Sequence, residues 1–366
     1  MKILRKYIIR ELIGPTFLSL IVLTFVMFTA RLLKLTDLVV NKGVSLILVG
    51  KLFGGMILFL LGYTVPMSVL TSVLLVFGKM SADNEIAAMR AGGISIYKIM
   101  YPVLFLSFII SLFSIVLHDG IIPHARFNMK KIIAEIGYKQ PLAYLEAGTF
   151  INSFSNYILF FRDIEKNRVK DIVIYEPQEN KSSTRVIMAQ EGEFVLGEKK
   201  DSFKLRLYDG SIDEPDSSKK ASSYRLDFKV YETDLDFKGE TKGIIEKRIY
   251  HMTHRELRHK MKELKNIDEK IDLAPIIIEI NKRFSLSFST FVLILVGLPL
   301  AIKTRKSEKS VSFALSLGIV ILYYVFFAGG EALSQKGLIP VWIGTWIPNF
   351  IFMLLGGILV LRVSRK

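Results

Sequence analysis

The chain has 366 residues, 51% of them hydrophobic, with a formal net charge of +15 and no cysteine. That hydrophobic content excludes an ordinary soluble domain and points to membrane-spanning helices. Between 119 and 283 the sequence holds 30 Lys and Arg against 28 Asp and Glu, so +13 of the charge falls on the apolar remainder; the basic excess is a membrane signal, and no nucleic-acid partner is expected.

Six mainly apolar stretches, at 12–34, 52–77, 98–118, 284–302, 311–330 and 341–361, each approach the roughly 20 residues that cross a bilayer core. The first, LIGPTFLSLIVLTFVMFTARLL, is too long for a signal-peptide core and lacks a small-residue cleavage site, so it is expected to stay as helix one. At its far end Arg31 and Lys34 lie one helical turn apart, on one face at headgroup depth, where snorkelling to bulk lipid is the plain alternative to ligand binding. Gly54, Gly55, Gly62 and Pro66 in span two, like Gly356 and Gly357 in span six, suit close helix approach or bending, or ordinary packing.

Between spans two and three runs SADNEIAAMRAGGIS, with Ser81 or Asp83 as N-cap, alanine-rich helix formers behind, and Gly92-Gly93 as the stop. A plain connector would need only a few residues, whereas a short rigid helix here suits docking to an external ATPase. Glu85 would meet an arginine of that partner, and Ile86 and Met89 would fill a groove; an interfacial hairpin without a partner is the alternative.

The block at 119–283 reads as strands: TFINSFSNYILFFRDI, DIVIYEP, TRVIMAQEGEFVL, SFKLRLYDGSI and YRLDFKVYETDLDF are rich in Val, Ile, Tyr and Phe and separated by Gly, Asn, Asp and Ser. An antiparallel sandwich or jelly roll is expected. Its tail, HRELRHKMKELKNIDEKI, has helical periodicity and leads through Pro275 into span four. GEFVLGEKK lacks the lysine a phosphate loop needs and reads as a hairpin turn, and the His254–His259 spacing does not place two metal ligands on one helical face. Glu331, at the end of span five, gives only a weak functional signal.

Basic clusters at Lys2, Arg5, Lys6 and Arg10, at Lys303, Arg305, Lys306 and Lys309, and at Arg362, Arg365 and Lys366 place both termini and the 78–97 loop in the cytoplasm and export the charged block. The lack of cysteine fits an exported domain that folds without disulfides. No catalytic constellation is present, so no enzyme is expected. A secondary transporter is disfavoured, because the spans lack buried acids and paired broken helices.

The order of three spans, a β-rich block and three spans, with NEIAAMRAGGIS, EINKRFSLSFSTFVLILVGLPLAI and WIGTWIPNF, resembles the LptF/LptG permease family of lipopolysaccharide export over essentially the whole chain. NEIAAMRAGGIS and YKIMYPV lean toward its LptF branch, although the two paralogues share these features. The resemblance implies a polytopic α-helical membrane protein of the bacterial inner membrane, six transmembrane helices arranged three plus three, with an inserted all-β jellyroll-like periplasmic domain. Its parts would be 1–118, with a cytoplasmic coupling helix at about 81–93, then 119–283, then 284–366. It further implies a paralogous LptG- or LptF-type permease, a cytoplasmic LptB-type ABC ATPase dimer that uses ATP, and periplasmic β-jellyroll proteins of LptC/LptA type. No cofactor is expected on this chain. Arg31 and Lys34 would then meet lipopolysaccharide phosphates, and Asp83, Glu85, Ile86, Met89 and Arg90 would form the ATPase-coupling surface. A membrane-anchored scaffold or sensor with a ligand-binding β-domain is the alternative function.

Overall fold

A computed structural model describes residues 2–40, 43–139, 147–151, 157–165, 168–177, 184–196, 203–215, 223–235, 247–267, 272–303 and 309–365. Its helices are α1 (Lys2–Val40), α2 (Leu46–Ala82), α3 (Glu85–Ala91), α4 (Ile96–Val116), α5 (Ile122–Lys139), α6 (His254–Ile267), α7 (Ala274–Lys303), α8 (Lys309–Gln335) and α9 (Val341–Ser364). The chain divides into two units: Met1–Leu32, Phe53–Asn128 and Lys247–Lys366 form the helical one, and Leu33–Leu52 with Met129–Glu246 form the other.

Six helical stretches are long and apolar enough to cross a membrane, one for each predicted span. Continuous Leu, Ile, Val and Phe select helix there, since a lipid-immersed backbone must satisfy its polar groups internally. In α7, 72% of the apolar window is buried, against 11–39% in the other five, which makes α7 the centre of this unit. Its neighbours approach through small and hydroxylated residues. A Cβ at Gly356 would lie 2.9 Å from the Leu295 backbone, so α9 can come this close to α7 only with glycine there. Ser285 donates to the Thr345 carbonyl at 2.6 Å, Asn349 donates back to Ser285 at 2.9 Å, and the Tyr323 hydroxyl donates to Asn349 at 3.0 Å. That buried network locks α7, α8 and α9 in register. Helix α1 is held more lightly, by Ser72 donating to the Leu12 carbonyl and by a Thr24–Thr64 bond.

The helical path continues beyond the predicted third span. A π-helical turn at Leu117–Ile121 leads into α5, which reaches Lys139, so the start of the 119–283 block is helix instead of strand. Pro123 explains the local geometry: it offers no N–H and its ring crowds the carbonyl four residues back, and a widened turn at that point accommodates both.

The other unit carries a six-stranded antiparallel sheet in sequential order: β1 (Phe150–Ile151), β2 (Ile158–Glu165), β3 (Arg168–Pro177), β4 (Thr184–Leu196), β5 (Phe203–Pro215) and β6 (Ser223–Leu235). Each predicted strand segment contributes to it, TFINSFSNYILFFRDI to both β1 and β2, while residues 152–156, 202 and 236–237 of those segments lie outside the described residues. The alternation is only rough because it changes phase mid-strand. In β5 the buried face passes from Leu205 and Leu207 to Ile212, in β3 from Val169 to Ile172 and Ile174. The switches fall at Asp209 and Asp171, with φ of 47° and 48°, and both stand opposite Gln190 in the register. Aspartate tolerates this left-handed conformation better than most side chains. Strands β2 and β6 would lie about 19 Å apart on a flat sheet. Instead, Thr233 of β6 donates to the Tyr157 hydroxyl just before β2 at 3.1 Å, so the sheet curls over its own apolar face, as a jellyroll-like domain does. Of GEFVLGEKK, read from sequence as a hairpin turn, Gly192 to Leu196 are instead the end of β4, and residues 197–200 lie outside the described residues.

Candidate functional site

Helix α2 runs straight through Ser81 and Ala82, so neither predicted cap, Ser81 or Asp83, caps α3. The N-cap position is Asn84, in the left-handed conformation with φ of 58° and without a side-chain capping bond. Ser81 instead donates to the Ile302 carbonyl at the end of α7, at 2.9 Å. The predicted stop is present: Gly93 has φ of 81°, its N–H bonds the Arg90 carbonyl at 2.9 Å, and the Ile94 N–H bonds the Met89 carbonyl at 3.1 Å. Those paired bonds form a Schellman motif, with Met89 and Ile94 packed on the same core.

The faces of α3 correct the sequence reading at one residue. Ile86 is 4% exposed and buried in the chain's own helical core, so it anchors α3 and is not free to fill a partner's groove. Met89 is half-buried beside it. The open face consists of Ala87, Ala88, Arg90 and Ala91, and Asp83 is exposed in the turn just before the helix. Glu85, at the first position of α3, accepts a 2.9 Å hydrogen bond from the Tyr7 hydroxyl of α1. On the far side of the glycines, Tyr97 donates to Ser364 at the end of α9, at 2.8 Å.

Three hydroxyls therefore pin this short segment to α1, α7 and α9, and the sequence reading singled out none of them in that role. Tyrosines in the basic flanks of apolar spans were the available signal, but nothing in their spacing discloses partners 78 or 267 residues away.

Position 31 lies on α1 with its side chain exposed, and position 34 follows one turn later on the same helix; the Lys34 side chain lies outside the described residues. Arg31 follows Arg10 by 21 positions on this helix, which separates them by about 32 Å, the thickness of a bilayer core. The two basic groups of α1 thus stand at opposite ends of the span.

A second polar cluster gathers at the other end of α7 from Lys303. Arg283 is 6% exposed, pairs with Glu279 at 3.0 Å, approaches Asp119 at 3.8 Å and donates to the Met252 carbonyl at 2.7 Å. Asp119 also accepts from the His254 backbone N–H at 2.9 Å. Burial, then the Arg258 charge, holds the His254 imidazole below its ordinary pKa, and the ring packs edge-on against Phe284 at 5.6 Å. Lys282 pairs with Glu331 at 2.8 Å, which gives that residue a structural partner. Burial pushes the Glu256 carboxyl up, but the hydrogen bonds from Lys247 and Thr253 outweigh it and hold the group below the usual carboxylate range. Among the described residues no group of His, Asp and Glu is arranged to hold a metal ion.

The family model described as lipopolysaccharide export system permease LptF/LptG matches residues 6–362. The chain is 20% identical over 363 residues to the lipopolysaccharide export system permease protein LptF of Escherichia coli strain K12, covering 98% of this chain and 94% of that protein. The proteins of the same name from Escherichia coli O157:H7 and Shigella flexneri match at the same identity and coverage. With six membrane-crossing helices, a curled antiparallel sheet between the third and fourth, and a match over nearly its full length, the chain belongs to the lipopolysaccharide export permease family LptF/LptG.

Proposed function

We propose that this chain is the LptF-type permease subunit of an ATP-driven exporter that lifts lipopolysaccharide from the inner membrane. It pairs with a paralogous LptG-type permease, receives motion through α3 from a cytoplasmic LptB-type ABC ATPase dimer, and hands lipid to periplasmic LptC/LptA-type jellyroll proteins. Both termini face the cytoplasm and the sheet faces the periplasm, in line with the basic flanks of the spans. ATP hydrolysis resides in the partner.

The observation that carries this reading is the 81–97 segment: a seven-residue α3 closed by a Schellman turn, with an open face of alanines and Arg90, Glu85 bonded to Tyr7 of α1, and flanks tied down by Ser81 to α7 and Tyr97 to α9. A plain connector needs neither the rigidity nor the pins. Affinity capture of the tagged chain from its own membranes is expected to bring down an ABC-type ATPase. Reproducible absence of that ATPase favours the membrane-anchored scaffold.

Arg31 and Lys34 are assigned to the phosphates of the transported lipid. Each charge-assisted contact contributes about 1.5 kcal/mol once lipid excludes water, which is about tenfold in occupancy. Replacing both with alanine should lower lipopolysaccharide photocrosslinking per folded complex and remove substrate stimulation of ATP hydrolysis, while basal hydrolysis persists. Unchanged crosslinking with reduced insertion supports snorkelling instead.

A further inference from the structure

We infer that a crevice between α1, α2 and α4 binds one acyl chain of an anionic glycerophospholipid, whose headgroup sits on the basic first turns of α1. The crevice has a volume of about 170 Å³. Its floor is closed by Leu12, Val73, Val103 and Ser107, all at most 3% exposed, and its mouth by Ile13 and Phe17, which are 52% and 64% exposed.

Only carbon faces the interior. The two hydroxyls that line it are turned back onto their own helices, Thr16 to the Leu12 carbonyl at 2.7 Å and Ser107 to the Leu104 carbonyl at 2.7 Å. Water needs polar partners and finds none, whereas an apolar cavity of about 150 Å³ is large enough to stay dry and take up a benzene-sized hydrocarbon. The open side faces the bilayer, so the hydrocarbon at hand is an acyl chain.

Charge selects the headgroup. At 100° per residue, Arg5 and Lys6 share the α1 face of Leu12, Ile13 and Thr16, about 10 Å toward the N-terminus, and Arg10 flanks the line through Phe17. All three are exposed and none has a carboxylate partner among the described residues. Glu11 lies on the opposite side of the helix. The Arg5 guanidinium is held 5.3 Å from the Tyr101 ring centroid, which keeps it over the entrance to α4. A basic rim above an apolar slot between membrane helices is the arrangement that takes an anionic lipid.

The bound lipid is distinct from the exported one, because Arg31 lies a bilayer away on the same helix. Its leaflet follows from the orientation proposed above, but binding does not depend on that orientation. Such a lipid would brace α1, the least buried of the six spans, against α2 and α4.

The test is native mass spectrometry of the full chain released from nanodiscs containing equal phosphatidylglycerol and phosphatidylethanolamine. The wild type should retain one phosphatidylglycerol. Arg5→Ala/Lys6→Ala/Arg10→Ala should reduce that retention at least tenfold, and Ile13→Trp, which plugs the mouth from an exposed position, should reduce it similarly with an unchanged melting temperature. Equal retention of the two lipids, or a triple variant that retains phosphatidylglycerol like the wild type, overturns the assignment. So does a photocrosslinker at position 13 that captures a protein or lipopolysaccharide instead of phospholipid.

Discussion

Arg283→Ala should collapse the yield of folded protein. The side chain is 8% exposed and its two ends are committed, one to Glu279 at 3.0 Å and the other to the Met252 carbonyl at 2.7 Å. Truncation leaves the Glu279 carboxylate, itself only 16% exposed, buried without its cation, and leaves a carbonyl without a donor. Breaking a buried pair in this way costs about 3–5 kcal/mol, a large share of the 5–15 kcal/mol that holds a typical native state together. The loss arises from the orphaned charge, so the double variant Arg283→Ala/Glu279→Gln should recover much of it. Thermal unfolding of the detergent-solubilised chain, followed by size-exclusion profile, checks both. A single variant that melts like the wild type would show that water reaches Glu279 and that the cluster is wet.

The same cluster shows where sequence reading runs out. Spans four to six and β2–β6 are legible because their signals are local: apolar length for a membrane helix, and β-branched or aromatic runs bounded by turn residues for a strand. Arg283 and Glu279 sit in EINKRF at the start of α7, where charge reads as the end of a span. Only the fold brings Asp119 and Met252 to them, from 164 and 31 residues away along the chain. Helix α5 was obscured for a related reason. Its charged, Pro-led sequence has neither the hydropathy of a span nor a clean break from α4, and the π turn that lets the helix pass Pro123 leaves no mark in composition. The phase switches at Asp171 and Asp209 look like ordinary polar strand positions until the register places both opposite Gln190. The coupling segment falls in between. Its glycine stop and its length were readable, but an isoleucine among alanines does not declare whether it faces a partner or the chain's own core, and Ile86 faces the core.

Glu85→Lys should uncouple the permease from its ATPase while leaving the six spans inserted. Glu85 opens α3, where a negative charge complements the helix N-terminus by about 0.3–1 kcal/mol and a positive charge opposes it. It is also the acceptor for Tyr7, at 2.9 Å, and lysine cannot accept that bond. At the proposed interface the reversal places like charges together, which acts mainly against association. These effects add in one direction, and a combined loss of even about 1.4 kcal/mol lowers affinity tenfold. The ATPase recovered per permease should therefore fall at least tenfold, together with ATP-driven lipid release. Two milder variants separate the causes. Tyr7→Phe removes the pin and keeps the carboxylate, so it should spare ATPase recovery and lower only the coupling of hydrolysis to release. Glu85→Gln keeps an acceptor for Tyr7 and removes the charge, so it should fall between wild type and Glu85→Lys in recovery. If Glu85→Gln matched the wild type while Tyr7→Phe lost the ATPase, the carboxylate would serve to hold α3 against α1, and the partner's contact would have to lie at the exposed Asp83 and Arg90.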